Sequence, residues 1–151
     1  MEICIGGHCS PTCYEALSSR PKGLDAIIIT DPNWPFPPYV PDLANDYLHM
    51  RFVDTPDPAN PQCPTVEHVR EMLEWANGRN NLLICCHAGV SRSSATALLI
   101  ASREVGMEEG FGVLVPGLHH PNRLILKHGS ALLGLPVYET YKEWRKKHHY
   151  D

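Results

Sequence analysis

Cys86 to Ser93 reads Cys-His-Ala-Gly-Val-Ser-Arg-Ser. A cysteine and an arginine with five residues between them, a glycine midway and a hydroxyl just after supply the parts of a site that cleaves phosphate esters. The thiolate of Cys86 would be the nucleophile, and a helix N-terminus beside an arginine is a setting that stabilises it. Gly89 lets the backbone turn tightly, so that the N–H groups of His87, Ala88, Gly89, Val90 and Ser91 can converge on an anion. Arg92 can fork onto two phosphate oxygens. Ser93 can offer its hydroxyl to the sulfur and ease departure of the thiolate when a phospho-cysteine is hydrolysed. The His87 side chain stands where it could touch substrate, although its backbone N–H is the part the chemistry requires.

The flanking residues position this loop. Asn81 to Cys85 is a short apolar run and predicts a buried strand, Leu82 to Cys86. Ser93 to Val105 predicts a helix with Ala95, Leu98, Leu99 and Ser102 on one face, stopped by Gly106. The loop therefore joins a strand's C-terminal end to a helix N-terminus, where unpaired N–H groups and the helix dipole favour an anion. Ile3 to Ile5, Ala26 to Ile29 and Tyr47 to Val53 predict three further strands. Helices are expected over Pro11 to Ser19, Pro64 to Asn77, Pro121 to Leu133 and Pro136 to Lys147. Strands alternating with helices imply an α/β architecture around a mostly parallel sheet, with ligand at the strands' C-terminal edge. Nine of the 14 prolines lie between Pro32 and Pro64 and stiffen two loops, Asp31 to Pro41 and Asp54 to Pro64.

Cys86-x-x-Gly89-x-Ser91-Arg92-Ser93 resembles the phosphate-binding loop of the cysteine-based protein phosphatases. The Ser-Arg-Ser ending is most similar to the dual-specificity branch and to small bacterial tyrosine phosphatases. The resemblance runs over about residues 45 to 133. It implies a three-layer, phosphotyrosine-phosphatase-like fold with a central sheet of four to five strands. Asp54, 32 residues ahead of Cys86, matches the family's general acid. Asp57, between two prolines in the same loop, is expected to be a turn residue. Pro121-Asn122 resembles a Pro-Asn pair at the matching place in dual-specificity phosphatases. Two positions depart from the pattern: Cys85 stands where the family usually has histidine, and Leu118-His119-His120 where it tends to carry arginines. The resemblance implies hydrolysis of phosphotyrosine, with phosphoserine and phosphothreonine as further substrates, through a phospho-cysteine and without a metal or other cofactor. A rhodanese-type sulfurtransferase and a non-catalytic phosphopeptide-binding module are the alternatives.

Composition agrees with a soluble enzyme. The chain has 151 residues, expected to form a single domain over 1–151, with 43% hydrophobic and 20% charged residues. A net charge of −4 argues against general nucleic-acid binding, and no apolar run approaches the ~18 residues of a membrane span. Met1-Glu2-Ile3-Cys4 lacks a basic signal start, so the six cysteines are expected to be reduced thiols in the cytoplasm. The partner expected is a phosphorylated protein or small phosphomonoester. Besides Arg92 and His87 the loop has no basic side chain, which argues against a highly phosphorylated inositol. Cys4, His8, Cys9 and Cys13 match no standard zinc spacing and are expected to be structural. Lys142, Arg145, Lys146, Lys147, His148 and His149 are expected to be a solvated helix face.

Overall fold

The computed structural model describes residues 1–150. Four strands, β1 (Glu2–Gly7), β2 (Asp25–Thr30), β3 (Asp46–Arg51) and β4 (Asn81–Cys86), form one sheet in the order β1-β4-β2-β3. Every pairing is parallel. The helices are α1 (Thr12–Ser19), α2 (Val40–Leu43), α3 (Val66–Ala76), α4 (Arg92–Val105), α5 (Met107–Gly110), α6 (Arg123–Leu133) and α7 (Val137–Lys147), with a 3-10 turn at Phe111–Val113 after α5. This is the α/β sheet flanked by helices that the alternation implies, with four strands. Two short helices, α2 and α5, lie outside the expected elements, α2 beginning at the end of the Asp31 to Pro41 loop. Pro41 sits in the first turn of α2, where its missing N–H is not needed. Gly106, at φ +85°, ends α4 and opens α5 at once.

Strand alternation sorts the core. Ile27, Ile29, Leu82, Ile84 and Cys86 pack on one face, against side chains from α3, α4 and α6. Ala26, Ile28, Leu83 and Cys85 pack on the other, against Cys13 and Leu17 of α1 and Val40 of α2. The adjacent cysteines therefore belong to opposite layers. β4 lies between β1 and β2, so its C-terminal end opens between two neighbours and Cys86 emerges there.

α4 departs from the one-faced pattern: every residue from Arg92 to Ser102 is buried. It lies on the sheet and is covered by α3, α5 and α6, so its buried polar positions after Arg92 are small hydroxyls. Thr96 Oγ1 and Ser94 Oγ donate back to the carbonyls of Arg92 and Val90 within one turn. Closeness to α6 depends on Gly129, where an added Cβ would stand 2.2 Å from Leu99 Cδ1. Gly129→Ala should therefore destabilise the protein by about 1–3 kcal/mol in urea unfolding, although alanine is the better helix former. Leu99→Ala in the same chain should relieve that added cost; an unchanged or raised stability of Gly129→Ala alone would contradict the packing.

Candidate active site

The turn from β4 into α4 is held from outside by four of its carbonyl groups. His8 N–H donates to the Cys86 carbonyl and Cys9 N–H to the His87 carbonyl, both at 2.9 Å. His120 N–H donates to the Val90 carbonyl at 2.9 Å and Asn122 N–H to the Ser91 carbonyl at 3.1 Å. The N–H groups of His87 through Arg92 donate to no protein acceptor among the described residues. Carbonyls engaged from outside and amides left without acceptors are the arrangement of an anion-binding nest at a helix N-terminus. Gly89, at φ +76°, makes the turn possible, and a Cβ there would meet the Gly6 carbonyl carbon at 2.8 Å. A Cβ on Gly7 would stand 2.6 Å from the Ala88 carbonyl carbon. The paired glycines that end β1 are thus the floor against which the loop is pressed.

Cys86 sits at the base of this nest, with Sγ 3.1 Å from Ser93 Oγ, and both residues are buried. The Arg92 guanidinium is buried as well, and one of its nitrogens is anchored. Nη1 donates to Asp31 Oδ1 at 2.8 Å and to the Phe52 carbonyl at 2.7 Å. Nε is buried without a partner among the described residues. An orphaned buried donor beside a row of free amides is what an oxyanion ligand satisfies.

Asp54 lies just beyond β3, on the rim. Its Oδ1 accepts from Ser91 Oγ and from Asn122 Nδ2, both at 2.8 Å. Asn122 Nδ2 also donates to the Thr55 carbonyl, while Asn122 Oδ1 caps α6 by accepting from Ile125 N–H at 3.0 Å. One buried side chain therefore ties the aspartate, its loop and a helix start together. Asp57 is exposed and its carboxylate accepts from Ala59 N–H, closing its own turn.

His87 points toward the Asp31 loop, where its Nε2 accepts from Asp31 N–H at 3.1 Å. Burial first, then the charge of Arg92, presses its pKa below the usual histidine value. It is thus a neutral imidazole, and its 3.9 Å approach to the Asp31 carboxylate is no ion pair. Trp34 and His8 both bring their rings to 4.6 Å from His87. Behind the strand, Cys85 is fully buried. Burial, then a hydrogen bond with Cys13, pushes its thiol well above the ordinary value, so it stays neutral.

Sequence reasoning singles out Cys86, Arg92, Ser93 and Asp54, and the fold brings all four to one mouth. It passes over Asp31, Gly6, Gly7 and the Phe52 carbonyl. In sequence, Asp31 and the two glycines read only as element boundaries, yet they hold the arginine and the loop. A carboxylate at a strand's C-terminal edge is the available signal for Asp31.

A scan against protein-family models finds no match, and a search of the curated proteins finds none. Solved structures do match. The human tyrosine phosphatase-like serine/threonine/tyrosine-interacting protein aligns with a TM-score of 0.64 and 18% identity, over 87% of this chain and 91% of that one. Human DUSP28 aligns at 0.61 and 18%, over 94% of each chain. A mouse putative dual specificity phosphatase complexed with zinc tungstate aligns at 0.60 and 21%, over 89% and 87%. This chain has the fold of the dual-specificity and tyrosine phosphatases, in agreement with the resemblance carried by its loop.

The anchoring of Arg92 can be tested by binding alone. Asp31→Ala removes the charged acceptor that fixes the arginine, so inorganic phosphate binding measured by calorimetry should weaken about tenfold or more, with Asp31→Asn intermediate. Unchanged binding would mean that Phe52 alone positions the arginine. Five buried or half-buried histidines make a separate prediction. His8, His49, His68, His87 and His119 are all pressed below the usual histidine pKa, by burial first in each case. Unfolded chains therefore take up protons at a higher pH than the native protein does. The histidine contribution to stability is full above about pH 6.5 and is lost as pH falls below it. Thermal scans from pH 8 to 5 should show Tm falling through that range; a rising Tm would contradict the assignment.

Proposed function

We propose that this protein is a phosphomonoester hydrolase that acts on phosphotyrosine, with phosphoserine and phosphothreonine as further substrates, through a phospho-cysteine. The observation that carries the reading is the nest of inward amides above Cys86, completed by a buried arginine whose Nε has no protein acceptor among the described residues. Within this reading, His87, Ala88, Gly89, Val90, Ser91 and Arg92 bind the phosphoryl oxygens through backbone N–H groups and the guanidinium. The Cys86 thiolate attacks phosphorus in line, an S–P bond forms and the ester P–O bond breaks. Asp54 gives its proton to the departing oxygen, then accepts one from the water whose oxygen displaces sulfur. Ser93, 3.1 Å away, donates to the sulfur as it leaves. Arg92 and the amides supply the positive charge at the transition state.

An aromatic leaving group is favoured by the wall beside the nest. Trp34 is 47% exposed and leans on His87, leaving a face on which a phenol ring can lie. We take residues 1–151 as one catalytic domain. All six cysteines are free thiols, which supports a place in the reducing cytoplasm. No helix among the described residues is long and apolar enough to cross a membrane.

Turnover of p-nitrophenyl phosphate without added metal, and none in a thiosulfate–cyanide assay, separates this reading from a sulfurtransferase and from a binding module. Cys86→Ser should abolish turnover and keep vanadate binding; Arg92→Lys should lose both, because an ammonium does not replace a fork. Asp54→Ala should lower kcat on phosphotyrosine peptides about 10²–10⁴-fold, less on esters with very acidic leaving groups. Asp57→Asn should change rates only a few-fold. The reverse ranking of the two aspartates would move the acid to Asp57.

A further inference from the structure

The sheet has two outer strands, β1 and β3, and they are finished differently. β3 carries Asp46, His49 and Arg51 along its length, the charge and polarity with which sheets discourage further pairing. β1 has no charged residue after Glu2, and its middle, Ile3-Cys4-Ile5, is half-buried. Its peptide groups sort by alternation. Glu2 N–H donates to the Asn80 carbonyl at 2.7 Å and His8 N–H to the Cys86 carbonyl at 2.9 Å, so the even-numbered groups face β4. The odd-numbered groups face away. Gly7 is satisfied there from its own turn: its N–H donates to Thr12 Oγ1 at 2.8 Å and its carbonyl accepts from Ser10 Oγ at 3.1 Å. Ile3 and Ile5 have no such partner among the described residues, which leaves two N–H and two carbonyl groups in a row along the edge.

Both flanks of this edge admit another strand. On the α4 side an open hollow is lined by Met1, Ile3, Val105 and Val113, and Met1 and Val105 are large apolar side chains left exposed. On the other side lies α1, which touches both β1 and β4. Cys13 and Leu17 turn its buried face to the sheet, and the Tyr14 ring rests 5.1 Å from Tyr39 beside α2. Helical spacing therefore puts Thr12, Ala16 and Ser19 on the opposite flank, toward the free edge. These are small side chains. Two copies of α1 could lie there roughly 8–10 Å apart, the ordinary packing distance of helices.

We propose that β1 pairs antiparallel with β1 of a second copy, giving a symmetric dimer in which two four-stranded sheets run on as one. The free groups set the register. Ile3 of each chain stands opposite Ile5 of the other, and every leftover donor meets a leftover acceptor. Cys4 then faces its own copy across the two-fold axis as a non-hydrogen-bonded pair, with Cα atoms about 4.5 Å apart. A two-residue edge does not reach the roughly 800 Å² per partner of a stable interface, so the apolar hollow and the small flank of α1 must be covered with it. Charge agrees with this orientation. The acidic first turn of α1, with Glu15, meets the C-terminal end of the other α1, where Arg20 sits, and the two helix dipoles oppose. β1 and β4 are parallel, so the two Cys86 loops open at opposite ends of the joined sheet and neither is covered.

Light scattering behind size exclusion, at micromolar concentration, should find twice the 16.9 kDa chain mass. Cys4→Lys sets two ammonium groups face to face on the axis and should weaken dimerisation about tenfold or more. Cys4 is half-buried, so that variant is read beside Val105→Glu, an exposed position, which should weaken the dimer while leaving Tm unchanged at a concentration where both proteins are monomers. The register has its own test in Cys9→Ser protein, which lacks the one exposed thiol among the described residues. Mild copper–phenanthroline oxidation should give a covalent dimer joined Cys4 to Cys4, since that pair falls within the roughly 4.4–6.8 Å Cα separation a disulfide spans. Glu2→Cys, off the axis and in a protein that also carries Cys4→Ser, should not cross-link. A wild-type monomer would leave the edge to an extended segment of some other chain and overturns the proposal. So does a dimer that withstands both Cys4→Lys and Val105→Glu, or a dimer in which Cys4 does not join its own copy.

Discussion

Four carbonyl groups of the Cys86 loop are claimed from outside, and the site depends on that. A turn of this sharpness between strand and helix has more than one way to satisfy its peptide groups. Here two segments distant in sequence settle the choice. His8 and Cys9, continuing past β1, take the carbonyls of Cys86 and His87; His120 and Asn122, entering α6, take those of Val90 and Ser91. With these oxygens held outward, the amides have the interior of the turn to face. The β1 contact needs Gly7, because any side chain there would meet the Ala88 backbone. Gly89 answers from the loop side with both a positive φ and a close approach to Gly6.

Charge is arranged around that frame. Burying the Arg92 guanidinium is tolerable because Asp31 and the Phe52 carbonyl share one nitrogen, leaving Nε for a ligand. His87 stays neutral between Arg92 and Asp31, so it adds no second cation to the loop and instead latches the Asp31 segment by accepting, at its Nε2, from the Asp31 backbone N–H. On the opposite rim Asn122 joins the cap of α6 to Asp54, so the aspartate's place is set by a helix rather than by its proline-rich loop alone.

What the sequence made legible was local. The Cys86–Arg92 spacing, the strand before it and the helix after it are short-range patterns. The unread part was long-range. Asp31 is 61 positions from Arg92, and Asn122 is 68 from Asp54; no periodicity marks such pairs. Gly6 and Gly7 look like strand punctuation until the loop is laid against them. The burial of α4 on all sides was hidden for a different reason. Its serines, threonine and alanines are small enough to be covered by other helices without forming an apolar stripe wider than one face. Arg145 looked like tail charge because the two rings that hold it, Tyr141 and Tyr150, flank it in sequence without a recognisable motif.

The central claim is that Cys86 carries the phosphoryl group between the two steps. Acid quenching during turnover of an activated aryl phosphate, followed by peptide mass spectrometry, tests it most directly. The account predicts one phosphoryl group on the sulfur of the peptide containing Cys86, enriched by Asp54→Ala when the leaving group is acidic enough to depart without a proton. Phosphate found on another residue, or steady turnover with no phosphorylated peptide even in that variant, would contradict it.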